Sequence, residues 1–199
     1  MSLNLMKDDV DDNEWLDAYR NGDVEALGKL VEHYRRPLYG FILRMQKNPT
    51  EADEIFQEVW LRAVRNLDRY QQKRFLSWLF RIAHNLIIDR ARKRKPDYSL
   101  DDPGDSNLPL GERIAADQRG PTTNTFAIDL GARIREAVEV LPSDQREVFL
   151  LRTENHLPFK EIATIQEVSI NTALARMQYA LAKLRIELAD TYDEVSEVT

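Results

Sequence analysis

The chain of 199 residues contains no cysteine, which excludes a disulfide framework, a thiolate zinc site and a cysteine nucleophile together. Its histidines, His33, His84 and His156, stand far apart with no partner histidine at helical spacing, so no metal-ligand pattern and no cofactor are expected. Long apolar runs are missing as well. The first fifteen residues lack the apolar core of a signal peptide, and no stretch approaches the length of a membrane span, so a cytoplasmic chain without membrane insertion is expected. No segment alternates as a strand would, and there is no internal repeat. Asp and Glu pairs occur, but without a nearby nucleophile or phosphate loop they suggest no catalysis.

An excess of positive charge is also lacking: 28 Lys and Arg against 34 Asp and Glu give a net charge of −6. Averaged over the surface, that argues against nonspecific coating of DNA. The charge is segregated, however. Acids gather at residues 8–14, 51–58, 101–105 and the carboxy terminus, whereas residues 81–95 are strongly basic.

What the chain does have is helical periodicity. Trp15, Ala18 and Tyr19, then Ala26, Leu27, Leu30, Val31 and Tyr34, then Leu38, Phe41, Ile42 and Met45 predict two helices broken at Asn21-Gly22-Asp23. After Asn48-Pro49, Thr50 supplies a cap for a helix running to about Leu67, with acids in its first turn. A further helix runs from Arg74 through Trp78, Ile82 and Leu86 into the basic run and stops at Pro96. Residues 97–127, punctuated by Pro and Gly, read as a flexible linker. Four more helices follow, over 128–141, 142–153, 158–166 and 169–188. The expected fold is all-α, with two small helical domains at 1–96 and 128–199.

The end of the second domain has the layout of a helix-turn-helix: a short helix with Ile162, Ala163 and Ile165 inward, a tight connection, and a helix capped by Ser169. Thr172, Ala173 and Arg176 would then sit near the groove. The spacing alone also fits two helices of an ordinary bundle, or a free-standing dimeric regulator. In the first domain, the basic run follows the aromatics Phe75, Trp78 and Phe80, a pairing suited to phosphates beside unstacked bases. Packing of Trp78 into the core is compatible with that reading. The acidic helix over 51–62 has one charged and one apolar face, suited to a basic protein partner.

Ala52-Asp53-Glu54-Ile55-Phe56-Gln57-Glu58-Val59-Trp60 and the stretch from Phe75 through Arg81-Ile82-Ala83-His84-Asn85 to Arg92 together resemble the amino-terminal domain of extracytoplasmic-function sigma factors. Leu141-Pro142, Arg146-Glu147-Val148-Phe149-Leu150-Leu151-Arg152, Glu161-Ile162-Ala163 and Leu181-Ala182-Lys183-Leu184-Arg185 resemble their carboxy-terminal domain. The resemblance implies an alternative sigma factor that binds core RNA polymerase and promoter DNA and initiates transcription of a specific regulon. Asp53, Glu54, Gln57, Glu58 and Trp60 would dock on the clamp helices of the polymerase largest subunit. Asn66, Tyr70 and the loop to Lys73 would capture a flipped base of the minus-ten element, with Arg74, Trp78, Arg81, Asn85 and Arg92 helping to open the duplex. Ser169, Asn171, Thr172, Arg176 and Gln178 would contact the minus-thirty-five element in the major groove.

The same resemblance implies that the free chain is monomeric and either folds back on itself or is held by an anti-sigma factor. The pattern is departed from where Gln166-Glu167-Val168 stands in place of a glycine-bearing turn and Leu174 in place of a common cation. Pro158 occupies a usual serine position and is tolerable as a first helical residue.

Overall fold

The computed structural model describes residues 8–70, 74–94 and 123–189. Gln71, Gln72 and Lys73, the stop at Pro96, the linker residues up to 122 and the acidic tail over 190–197 lie outside the described residues. Among the described residues, eight α-helices form two groups: α1 (Asp8–Arg20), α2 (Val24–Gln46), α3 (Pro49–Asn66) and α4 (Phe75–Arg94), then α5 (Thr123–Val140), α6 (Ser143–Thr153), α7 (Phe159–Ile165) and α8 (Ile170–Glu187). Among the described residues there is no strand.

Local chemistry explains the boundaries. Asp23 caps α2, its carboxylate accepting from the Glu25 amide at 2.9 Å, and Asn48 caps α3 by accepting from the Thr50 amide at 3.0 Å. The α3 cap is thus Asn48 rather than Thr50, because Pro49 takes the first helical position, where its missing N–H has no intrahelical role. Helix α5 begins at Thr123, inside the stretch read as linker. Pro158 is the cap residue before α7 rather than its first helical residue. Pro37 lies within α2, yet the helix continues, because Leu30, Tyr34, Leu38, Phe41 and Ile42 on either side are all buried against one core.

Helix α2 packs on α1, α3 and α4, and a short 3-10 turn (Leu67–Arg69) leads from α3 toward α4. An aromatic cluster fills the amino-terminal core: Phe75 lies 5.6 Å from Tyr34, 6.1 Å from Trp60, 5.3 Å from Tyr70 and 5.5 Å from Trp78, and Phe41 stacks edge-on to Phe80 at 5.0 Å. In the carboxy-terminal group, α8 packs across α6 and α7, with Val148, Leu150, Leu151, Ile162, Ala173 and Ala180 fully buried. Alanine at 163, 173 and 180 lets these helices approach closely. The two groups meet where α4 lies on α7 and α2 lies on α6.

Candidate functional site

Helix α3 buries Ala52, Ile55, Val59, Trp60 and Ala63 on one side and exposes Asp53, Glu54 and Gln57 on the other, with Glu58 half-buried at the edge. Trp60 departs from the expected surface set. It is 7% exposed and packs among Phe56, one turn back, and Phe75, on the buried side of α3 with Val59 and Ala63. It supports the acidic face from beneath. The acids carry counter-ions of their own. Glu54 pairs with Arg90 at 2.9 Å, Glu58 with Arg62 at 2.8 Å, and Glu51 with Arg94. Arg94 holds the Glu51 carboxyl below its usual value, and Arg62 does the same to Glu58. Tyr39 donates to Asp53, which raises the phenol above its usual range.

At the other end of α3, the Asn66 side chain donates to the Arg62 carbonyl at 2.8 Å and is exposed. Tyr70 is buried, 4.8 Å from Trp78 ring to ring, so it anchors the chain entering α4 rather than projecting from it. Trp78 is half-buried against the same core. The guanidinium of Arg20, from α1, donates to the carbonyls of Leu67 and Tyr70 at 3.2 and 3.1 Å and fixes this entry from the side. No periodicity marks Arg20 out; only the fold brings it there. Asn85 and Arg92 are exposed on α4.

Arg74, just before α4, and the face of α4 that carries Ser77, Arg81 and His84 meet acids of the carboxy-terminal group. Arg74 pairs with Glu161 at 3.0 Å, the Ser77 hydroxyl donates to Glu161, Arg81 pairs with Glu167 at 3.1 Å, and His84 Nδ1 lies 2.8 Å from Glu147. The Glu147 side chain is 4% exposed and accepts from Gln166 Nε2 at 2.8 Å as well. Arg176, expected at the groove, instead pairs with Asp144 at 3.0 Å and donates to Gln166 Oε1 at 2.9 Å, bracing the turn between α7 and α8. Around the seam, Arg44 pairs with Glu154, Lys47 Nζ donates to the Glu139 carbonyl at 3.0 Å, and Arg146 donates to the Arg44 carbonyl at 3.4 Å. Burial pushes the Arg146 guanidinium below its usual value.

On α8, Ser169 caps the helix through the Thr172 amide at 3.0 Å, and Asn171, Thr172 and Gln178 are exposed. Ala173 is fully buried and packs inward, away from any groove.

The sequence matches the family model for Sigma-70 region 2 over residues 30–96 and that for Sigma-70, region 4 over residues 131–184. It is 34% identical over 174 residues to the ECF RNA polymerase sigma factor SigW of Bacillus subtilis, covering 86% of this chain and 93% of that one. The chain belongs to the extracytoplasmic-function sigma factors. The RNA polymerase sigma-H factor of Pseudomonas aeruginosa is 27% identical over 169 residues, with 83% and 88% of the two chains covered. In fold, this sigma factor is similar to CnrH in its complex with the cytosolic domain of CnrY, at TM-score 0.63 and 23% identity, over 90% of this chain and 98% of that one. It is also similar to the sigma factor RpoE in complex with the anti-sigma factor NepR from Bartonella quintana, at TM-score 0.61 and 20% identity, over 83% and 98%. It is an alternative sigma factor for transcription initiation and not an enzyme. No described helix of this sigma factor is long and apolar enough to cross a membrane.

Proposed function

We propose that this sigma factor docks on the clamp helices of the polymerase largest subunit through Asp53, Glu54, Gln57 and Glu58, while α4 and the chain entering it open the minus-ten element. The observation that carries the reading is the division of α3 into an apolar buried side and an acidic outer side beside a basic α4. A protein surface and a nucleic acid can then be held by adjacent helices of opposite charge. Asn66, Asn85 and Arg92 are the exposed polar groups nearest that task, and Arg74 and Arg81 become available when the carboxy-terminal group moves away. Exposed Asn171, Thr172 and Gln178 supply hydrogen-bonding groups for the minus-thirty-five element, with Arg176 acting through the turn it braces.

Residues 1–96 and 128–199 act as the two domains, joined by the intervening linker, in a cytoplasmic chain. Two solved structures of this fold hold partners: CnrH with the cytosolic domain of CnrY, and the sigma factor RpoE with NepR, which is named an anti-sigma factor. We infer that a protein of that kind restrains this chain too. The test is capture of purified core RNA polymerase by the native chain and by the Asp53→Lys, Glu54→Lys, Glu58→Lys variant. Reversing three charges on one face is expected to weaken capture by roughly tenfold or more, since like charges placed against each other at an interface are repelled. Equal capture by both chains would move the docking surface elsewhere.

A further inference from the structure

Apolar side chains scattered singly over a protein surface need no explanation, but those of α8 are ordered. Ile170 is 46% exposed, Leu174 38% and Leu181 41%, and their spacing puts all three on one flank of the helix. The inward direction is fixed by Ala173, Ala180 and Leu184, which are buried where α8 packs on α6 and α7. Beside the apolar flank, Asn171, Leu174 and Gln178 follow one another at three- and four-residue steps. They form one outward stripe about 10 Å long, roughly the rise of three base pairs.

This stripe carries no charge. Arg176, the one cation in the first half of α8, is turned aside and held by Asp144 and Gln166. Ser169 and Thr172 are engaged with each other at the cap, 2.8 Å between their hydroxyls, whereas no hydrogen bond among the described residues engages the amides of Asn171 and Gln178. Lys160 on α7 and Lys183 and Arg185 farther along α8 are exposed and supply the cations for phosphates. In the major groove an adenine edge offers N7 and N6, which an Asn or Gln amide matches. Its thymine partner offers O4 and a 5-methyl group, the apolar feature of that pair. An amide, an isobutyl group and a second amide in register are complementary to A·T pairs and to nothing that the phosphate backbone presents.

We propose that Leu174, flanked by Ile170, reads the 5-methyl group of thymine in the upstream promoter element, with Asn171 and Gln178 on adenine edges to either side, so that α8 selects A·T pairs by methyl contact and hydrogen bonding rather than by charge. The proposal rests on the reading of α8 as the helix that enters the major groove. It gives Leu174 a task at a position where a cation is common. A cation attracts every phosphate alike, whereas a methyl contact distinguishes thymine from the other bases.

The test uses the full chain with core RNA polymerase. Duplexes are first selected from a pool randomised across both promoter elements, and the selected duplex is then remade with deoxyuridine for each thymidine of the upstream element in turn. Loss of the single buried methyl is expected to weaken binding about two- to fivefold at one or two of these positions. Leu174→Ala should bring that ratio to about one with helical content by circular dichroism unchanged. Leu174→Lys should abolish the ratio as well, while tightening binding to every duplex and steepening the dependence of log affinity on log salt by about one unit. Equal binding of thymine and uracil duplexes by the native chain at every position would overturn the proposal, as would a ratio that survives in Leu174→Ala. Asn171→Ala and Gln178→Ala separate the two readings: if they weaken binding to the selected duplex, α8 remains the recognition helix and only the methyl contact is lost. If they leave it unchanged, the recognition reading falls and the proposal with it. Loss of polymerase capture in Leu174→Lys would assign the apolar flank to a protein surface instead.

Discussion

The acids on the outer side of α3 are not waiting bare for a partner. Glu51, Glu54 and Glu58 each hold an arginine, and two of those arginines, Arg90 and Arg94, belong to the basic end of α4. Exposed pairs of this kind are weak and screened by solvent, so a basic protein surface of the proposed kind can exchange with them at small cost and free Arg90 and Arg94. The electrostatics can be read at Glu51. Its folded value lies below the ordinary 4.5, chiefly through the hydrogen bond from Arg94. A group that ionises more easily when folded contributes stability that is fully present above 4.5 and is lost as pH falls through the lowered value. Glu58 follows the same sign through Arg62. Carboxyl NMR titration of Arg94→Ala should therefore return Glu51 upward toward 4.5 and leave Glu58 below it. If Glu51 stayed low in that variant, Arg94 would not be the cause.

At the scale of elements, α2 carries the sharpest conflict between local preference and tertiary packing. Pro37 removes one intrahelical donor and crowds the carbonyl of His33, four residues back, a local cost that reaches about 3 kcal/mol in a helix interior. Burial of Leu30, Tyr34, Leu38, Phe41 and Ile42 on both sides of it holds the helix together. Pro37→Ala is accordingly expected to stabilise the chain by about 1–3 kcal/mol, read as a higher denaturant midpoint with unchanged slope. A lower midpoint would mean that the ring itself packs something the helix needs. Helix α4 depends on its buried face instead: Leu79 is fully buried, and Leu79→Ala should cost about 2–5 kcal/mol through the cavity it leaves. Arg92→Ala on the exposed face of the same helix should stay within about 0.5 kcal/mol by chemical denaturation.

Across the whole molecule, the described contacts between the two helical groups are rich in charge. Arg74 with Glu161, Arg81 with Glu167 and Lys47 with Glu139 are partly open to solvent, whereas His84 with Glu147 is shielded. Screening shortens from about 8 Å at physiological salt to about 3 Å at 1 M, which weakens the open pairs far more than the buried cores of either group. Small-angle scattering should therefore show the radius of gyration rising between 0.1 and 1 M NaCl while helical content by circular dichroism is unchanged. A radius independent of salt would assign the closure to apolar contacts. The net charge of −6 fits this arrangement, since a chain whose cations are engaged by its own acids needs no basic excess until it is opened.

The helices, their apolar faces and the helix-turn-helix were legible because periodicity, caps and breakers are local properties of neighbouring residues. Ile162, Ala163 and Ile165 pack inward as their spacing required, and α3 has the acidic face read from its sequence. The family, too, was carried by motifs that lie within single helices. The resemblance names Trp60 and Tyr70, and the helix-turn-helix layout names Ala173 and Arg176, without fixing which way each side chain turns, and one residue along a helix turns a side chain by about 100°. Arg20 on the entry to α4, the His84 and Glu147 pair, and Lys47 and Glu167 reaching across the seam join residues tens of positions apart. Their meeting depends on how the helices dock, a long-range balance of packing and charge that no local pattern records, and only the tertiary structure decided it.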